Sequence, residues 1–273
     1  MATIKPQALL SSNNTKTVKG EKLGYMTYIL YLSPFKDNSK GKNLCSQASK
    51  GCAESCLFGS GRGGMFAMVG DARRKRTEFL LADRNAFLEQ IHTEIGKYVK
   101  RHKGKATVTI RLNGTSDLPW ENFKVFENNT KNIFEMYPDV QFYDYTKVWT
   151  RFDKVLPSNY HLTFSRSENN HNKAIEMLNK GVNVAMVFDK LPNTFEGFEV
   201  INADKDDLRF LDKKGAKGVI CGLKYKLMTA KGSDNTKAFT SGFAIRTAEG
   251  TELLPIEKIE KIKKVKKDLV VTK

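Results

Sequence analysis

Residues 106–117 read ATVTIRLNGTSD, an apolar and β-branched run that changes abruptly into small and polar residues. Threonine, valine and isoleucine favour a strand, and the Asn-Gly pair at positions 113 and 114 permits a tight turn after it. This segment therefore predicts a buried strand whose carboxyl end carries a row of hydrogen-bonding side chains. Other parts of the chain repeat the pattern.

Strand-like runs alternate with helical segments on both sides of this stretch. The other strand-like runs are YMTYILYLSP, DVQFYDYTK, YHLTFSRSEN, GVNVAMVFDK, GFEVINADK and AKGVICGLKYK. Residues 71–105 predict two helices broken near Asp83, and NNHNKAIEMLNKG predicts a helix that ends at Gly181. Alternating strands and helices predict an α/β fold with a parallel sheet, and about seven strands favour a (β/α) TIM-like barrel, complete or incomplete.

We expect residues 1–273 to form a single barrel domain, with a polar N-terminal segment at 1–20, a hairpin after residue 232 and a basic tail at 256–273. The formal net charge of +16 favours a polyanionic partner, with DNA the first candidate and RNA an alternative. The sequence has no signal-peptide core and no membrane span, so it predicts a cytoplasmic protein without a membrane partner.

The polar ends of the predicted strands supply the candidate active-site residues. In a barrel these ends gather on one face, where such folds carry their chemistry. The candidate catalytic carboxylates are Asp117, Asp144 and Asp189. The candidate substrate-binding residues are Arg111, Asn113, Ser116 and Arg166. A plain Asn-Gly turn or helix caps are the alternative explanations.

The segment CSQASKGCAESCLFGSGRGG at residues 45–64 holds three of the four cysteines of the chain. The close spacing of Cys45, Cys52 and Cys56 predicts a metal loop directly after the first strand, because clustered cysteines in a reducing compartment are typically metal ligands or catalytic thiols. Cys221 is the candidate fourth ligand, if barrel closure brings it near. The alternatives are a solvent or substrate ligand or one of the histidines His92, His102, His161 and His171. Zinc and an iron–sulfur cluster both suit thiolate ligands, and unliganded cysteines are the alternative.

Basic residues follow the cysteines closely. Arg62 lies within GSGRGG, and ARRKRTE continues the positive charge shortly afterwards. We interpret this region as a path for a nucleic-acid backbone, the alternative being a flexible loop beside a solvated helix face. The candidate nucleic-acid contacts are Arg62, Arg73, Arg74, Lys75 and Arg76.

Two resemblances to known families follow from these segments. A three-cysteine loop after the first strand of a barrel resembles radical S-adenosylmethionine enzymes, although Gly59 stands where their C-x3-C-x2-C signature would place its third cysteine. The cysteine loop, the arginine helix and RLNGTSD together resemble a bacteriophage protein family, with the phage DNA-modifying branch of the guanine transglycosylase superfamily as the nearest functional link. That superfamily's C-x-C-x2-C zinc motif does not occur in this sequence.

The transglycosylase resemblance implies exchange of guanine for a 7-deazaguanine base such as preQ0 in DNA, within the host cytoplasm. Such an exchange needs one carboxylate as nucleophile and a second acid or base group, and here the bound zinc would be structural. The alternatives are a radical S-adenosylmethionine-like iron–sulfur enzyme and a non-enzymatic, zinc-stabilised phage protein that binds DNA.

Overall fold

The computed structural model describes residues 8–12, 15–126 and 130–247. The strands are β1 (Leu10–Ser11), β2 (Tyr25–Leu30), β3 (Thr107–Arg111), β4 (Gln141–Thr146), β5 (Tyr160–Ser165), β6 (Val184–Phe188), β7 (Thr194–Phe195), β8 (Phe198–Asn202), β9 (Ile220–Lys224) and β10 (Ala244–Ile245). The α-helices are α1 (Thr15–Glu21), α2 (Lys50–Glu54), α3 (Gly61–Met65), α4 (Ala67–Ala82), α5 (Arg84–His102), α6 (Ile133–Met136), α7 (His171–Asn179) and α8 (Lys237–Thr240).

The strands form one sheet in the order β1-β2-β3-β4-β5-β6-β9-β8-β7. Strands β2 to β6 are parallel and lie side by side in chain order, and β9 and β8 continue the parallel sheet beyond β6. The short strands β1 and β7 are antiparallel to their neighbours, and β10 pairs with the end of β6. The sequence predicted the parallel core correctly.

The predicted TIM-like barrel is wrong. Among the described residues the sheet is open and mixed, with β1 and β7 as its two ends and no pairing between them. Alternation of strands and helices specifies parallel neighbours, but it does not specify closure. Here β9 inserts between β6 and β8, so the strand order turns back on itself, and antiparallel strands cap both edges.

Helices α4 and α5 cover one face of the sheet, and Asp83 separates them as predicted. Its side chain accepts a hydrogen bond from Ala86 N at 2.9 Å and so caps α5. The apolar stripe of α5 includes Phe87, Ile91 and Ile95, each fully buried. Burying a side chain of this size contributes about 1.5–3 kcal/mol, so this stripe fixes α5 against the sheet.

Several polar side chains lie on the other face of the sheet, and the alternation of residues along each strand decides which ones they are. Thr109 and Arg111 of β3 therefore share a face with Tyr143 and Tyr145 of β4. Thr27 on β2 completes a buried hydrogen bond to Thr109, 2.7 Å between the two hydroxyl oxygens. Arg111 and Tyr145 on this face also line the cavity described below.

The remaining sequence predictions concern the two ends of the chain and the membrane. The predicted hairpin after residue 232 is wrong within the described part, where α8 and the parallel strand β10 form instead. The basic tail and residues 1–7 and 13–14 of the polar N-terminal segment lie outside the described residues, and the rest of that segment contains β1 and most of α1. No helix among those described has the length and apolar character needed to cross a membrane.

Candidate functional site at the ends of the parallel strands

A cavity of about 420 Å³ lies where the parallel strands end. Tyr31 follows β2 on its wall, Asp117 follows β3, Lys147 follows β4, and Ser165 ends β5. Parallel strands bring their carboxyl ends to one edge of a sheet, and open α/β sheets bind ligands there. The cavity therefore lies at the strand ends, where the sequence placed the candidate site, although the sheet does not close into a barrel.

The cysteine loop crosses this cavity and is anchored by a residue that the sequence reasoning missed. Glu168, in the loop before α7, accepts hydrogen bonds from Ser49 Oγ and Gly51 N, both at 2.7 Å. Ser49 in turn caps α2 by accepting from Cys52 N. A Cβ at Gly51 would lie 2.8 Å from Glu168 Oε1, so a larger residue would disturb the hydrogen bonds between the loop and Glu168.

Cys45, Cys52 and Cys56 all line the cavity, and each is half-buried. Burial raises the pKa of the Cys45 thiol to about 12 and that of Cys56 to about 11. Both are therefore protonated at neutral pH unless a metal replaces the proton. Cys221 does not line this cavity: it is buried on β9 and its Sγ lies 3.3 Å from Asp212 Oδ2.

Lys147 is a buried cation on the cavity wall that interacts with the cysteine side chains. Its Nζ donates to Ser165 Oγ at 3.0 Å and lies near enough to Cys52 to interact with it electrostatically. Burial opposes its charge, but the neighbouring Cys52 and Asp117 prevail and raise the pKa of Lys147. A fixed ammonium at this position places positive charge beside the Cys52 side chain. The sequence signal was available, since Lys147 directly follows β4.

The arrangement of the three cysteine thiols bears on which metal group they could hold. Among residues 8–12, 15–126 and 130–247, no three His, Cys, Asp or Glu side chains converge closely enough to enclose one metal ion. A tetrahedral zinc site needs its thiolates about 4 Å apart, because each Zn–S bond is about 2.3 Å. The cysteines of an iron–sulfur cluster each bind a different iron atom. In the described chain Cys45, Cys52 and Cys56 line one cavity but do not form a group close enough to enclose a single ion.

Asn113 organises the polar loop after β3. Its Oδ1 accepts from Ser116 Oγ, Leu118 N and Trp120 Nε1 at 2.9–3.0 Å. A Cβ at Gly114 would lie 2.6 Å from Leu30 O, so only glycine lets this loop pack against the end of β2. Asn113 and Ser116 therefore shape the wall of the cavity.

The three predicted catalytic aspartates occupy three different environments. Asp117 lines the cavity, where its Oδ2 accepts from Lys147 N at 2.8 Å. Asp144 is 1% exposed and lies beneath the wall, bonded to Asn113 N at 2.8 Å. Asp189 accepts from Thr247 N at 3.1 Å, and neither it nor Asp144 lines the cavity. Of the three, only Asp117 stands where a ligand would contact it.

A second carboxylate on the cavity is Asp207, which the sequence reasoning also missed. Its Oδ2 accepts from Arg111 Nη1 at 3.0 Å and from the hydroxyl of Tyr143 at 3.3 Å. The Arg111 guanidinium lies 4.7 Å from the centre of the Tyr145 ring. Its Nε is buried and has no hydrogen-bond partner within the described part of the chain. Arg111 thus lies on the cavity as predicted, held by Asp207, which follows β8 in a polar run.

The predicted basic cluster does not form a common surface. Arg73 lines the cavity, Arg74 pairs with Asp37, and the Nε of Arg76 donates to Ala8 O. Lys75 is exposed. The side chain of Arg62 lies outside the described residues.

Arg166, predicted to bind substrate, instead donates to Phe243 O at 3.0 Å and does not line the cavity. It holds the segment before β10 against the end of β5.

A second, polar cavity of about 580 Å³ adjoins the first and shares Ala48 and Lys147 with it. Amide side chains line much of it, from Gln47 to the asparagines of the loop before α7. Trp149 is 42% exposed at its edge, and Lys173 Nζ lies 4.6 Å from the Trp149 ring centre. Lys147 therefore stands on the wall of both cavities.

The fold and the cavity together define an α/β protein with an open, largely parallel sheet and a thiol-lined site at the strand ends. The chain belongs to the gene product 88 family, whose model matches residues 8–246. This is a phage-type family, which agrees with the resemblance to bacteriophage proteins. Comparison with curated proteins and with solved structures gives no match.

Proposed function

We propose that this chain is an iron–sulfur enzyme of the radical S-adenosylmethionine type, with Cys45, Cys52 and Cys56 as its cluster ligands. One observation carries the proposal: all three thiols come from the loop after the first parallel strand, and all three line one cavity at the strand ends. When bound, such a cluster supplies a low-potential electron for reductive cleavage of a sulfonium cosubstrate.

The chain departs from the usual signature of that class at Gly59, and the surroundings of Gly59 account for the departure. A Cβ there would lie 2.5 Å from Met228 Cε, and the Gly59 carbonyl accepts from Thr229 N at 3.0 Å. Position 59 docks residues 228–230, and a cysteine there would have to displace the end of the Met228 side chain. The C-x6-C-x3-C spacing supplies the third thiol from Cys45 instead.

Other residues of the chain hold the thiols in place and adjust their charge. Glu168 fixes the loop through Ser49 and Gly51, and Lys147 offsets the negative charge that the thiols acquire when a metal displaces their protons. The adjoining polar cavity, with its amides and the exposed Trp149, suits a nucleobase that stacks and hydrogen-bonds. We therefore propose a nucleic-acid or nucleotide substrate.

The test is anaerobic purification followed by iron, sulfide and zinc analysis of the full chain. We expect a brown protein with absorbance at about 400 nm and about four irons per chain. Cys52→Ser is expected to lose most of the iron, whereas Cys221→Ser, a matched change outside the cavity, keeps it. A colourless protein with one zinc, or equal loss in both variants, would contradict the proposal.

Lys147→Met tests the electrostatic part of the proposal. Removing the ammonium is expected to weaken cluster binding by about tenfold, the usual effect of losing a residue that supports a metal ligand. The measurement is iron retention during titration with a chelator. Unchanged retention would show that Lys147 does not support the thiolates.

A second candidate is the exchange of a guanine base in DNA, because Asp117 and Asp207 both line the cavity and could divide the roles of nucleophile and acid or base. In this case the thiols are structural. Nucleoside mass spectrometry of DNA from expressing cells would reveal a 7-deazaguanine, and Asp117→Ala would abolish its incorporation. Unmodified DNA from cells that make the folded protein and are supplied with preQ0 counts against this candidate.

A further inference from the structure

We propose that Arg73 binds the negatively charged group of the ligand that enters the thiol cavity, an oxyanion such as a phosphate or a carboxylate. The inference concerns the same cavity as the proposed function and rests on it only for the presence of a ligand. It holds whether or not the thiols carry a cluster, and the experiment below separates the two.

Arg73 comes from α4 and lines the cavity with only 9% of its surface exposed. Its guanidinium carbon lies 5.0 Å from the centre of the Tyr31 ring and 5.2 Å from that of Phe58. Thr77 Oγ1 bonds the Arg73 carbonyl and Ser33 N, which ties this turn of α4 to the segment after β2. The guanidinium is therefore held at a fixed place on the cavity wall.

No carboxylate of the described chain lies within salt-bridge distance of Arg73, and its buried Nη1 has no hydrogen-bond partner among the described residues. Arg111 pairs with Asp207, Arg151 with Glu121, and Arg74 with Asp37. Arg76 and Arg166 donate to backbone carbonyl oxygens instead. The Nη1 of Arg73 has neither kind of partner in the described chain.

A buried charge without a counter-ion is costly, and an arginine cannot escape the cost by losing its proton. Burial lowers the pKa of Arg73, which records that cost, yet the group stays charged at neutral pH. Such an arrangement is stable where a ligand supplies the missing charge. Arginine favours oxyanions because its planar donors match phosphate and carboxylate oxygens.

The competing explanation is that Arg73 offsets the charge of the cysteines themselves, since Cys56 lies close enough to interact with it. The two explanations differ in what Arg73→Met changes. A counter-ion for the thiols affects iron retention, whereas an oxyanion receptor affects the response to added anions. Both can be measured on one preparation.

The experiment measures the thermal midpoint of the full chain at constant ionic strength while sodium chloride is replaced by inorganic phosphate or by acetate. We expect at least one of the two anions to raise the midpoint of the wild type in a saturable way. Arg73→Met is expected to bind that anion at least about tenfold more weakly, a loss of about 1.4 kcal/mol. Lys97→Met, which removes an equal charge from an exposed position on α5, keeps the full response.

Without added anion, Arg73→Met is expected to melt no lower than the wild type, because it removes an unpaired buried charge; this also guards against a variant that fails to fold. Phosphate alone indicates a phosphate-bearing ligand, and acetate alone indicates a carboxylate. The proposal is overturned if neither anion stabilises the wild type, or if Arg73→Met responds as the wild type does. Iron content, measured on the same samples, tests the proposed cluster separately. An anion response in protein without iron would support the role of Arg73 and contradict the iron–sulfur proposal.

Discussion

Asp117 and Asp144 belong to neighbouring strand ends and were selected by the same rule, yet they lie in opposite environments. Asp117 lines the cavity with 11% of its side chain exposed. Asp144 is sealed, and its Oδ2 accepts from Tyr160 OH at 3.0 Å. One carboxylate is placed to meet a ligand, and the other holds two strands and a loop together.

The difference follows from where each residue sits relative to its strand. Asp144 lies inside β4, so the pleat directs it to the same face as Phe142, towards the buried helix side. Asp117 lies in the loop after β3, where Asn113 and Gly114 set its direction. A polar residue inside a strand must be assigned to a face before it is assigned a role.

The largest effect is expected from Asp144→Ala. The change leaves the donors of Asn113 and Tyr160 without an acceptor in the interior, and it removes the carboxyl group that lies 4.0 Å from Arg111 Nε. We expect the free energy of unfolding to fall by about 3 kcal/mol. Urea denaturation measures this change, and a loss below about 1 kcal/mol would show that Asp144 is not important for stability.

Asp117→Ala is expected to cost less stability, about 1–2 kcal/mol. Its main charged partner Arg151 keeps Glu121, to which it donates from both Nε and Nη2 at 2.8 and 2.7 Å. The variant should also keep its iron, because no thiol depends on Asp117 for position. Urea denaturation and iron analysis on one preparation check both statements. A loss as large as that of Asp144→Ala would remove the distinction between the two carboxylates.

The parallel core could be read from the sequence because local signals determine it. Asp83 divides α4 from α5, and Gly181 follows α7, as the capping pattern predicted. Closure could not be read in this way, since the insertion of β9 between β6 and β8 depends on contacts between distant segments. The same limit explains why Cys221 was expected near the cysteine loop: that expectation required a closed barrel.

Residues of the candidate site could be predicted from the sequence where they follow a strand directly, but not where they lie in longer loops. Lys147 was overlooked beside Asp144, although the rule that selected the aspartate applied equally to it. Glu168 and Asp207 gave weaker signals, because an acidic residue in a loop is usually solvated. Their roles depend on partners more than 90 residues away, Gly51 and Arg111, and only the three-dimensional structure pairs them.

The pH dependence of stability offers a finer test of the buried carboxylate. Burial raises the pKa of Asp144 from 3.8 to about 7, although Arg111 opposes the shift. Between about pH 4 and pH 7 the native state keeps a proton that the unfolded chain has released, so this group's contribution to stability falls as the pH rises.

Asp144→Asn cannot titrate and so escapes this fall. Relative to the wild type, the variant is expected to gain about 1 kcal/mol or more on going from pH 4.5 to pH 7.5. Urea denaturation of both proteins at each pH isolates Asp144 from His161, whose pKa burial lowers to about 4 in both. A difference that is constant with pH would mean that Asp144 is ionised throughout.

The smallest effect is expected at Asp189, the third aspartate that the strand-end rule selected. Its Oδ1 accepts from Thr247 N and Thr247 Oγ1 and so fastens the chain after β10, at a half-buried position away from the cavity. Asp189→Ala is expected to lower the free energy of unfolding by about 1 kcal/mol or less. Iron content and the response to anions should be unchanged, since the described hydrogen bonds of its side chain go to Lys190 and Thr247 and to no residue that lines the cavity. Loss of either property would mean that the segment around Thr247 contributes to the site. Asp189 would then belong with Asp117 among the site residues and not with Asp144.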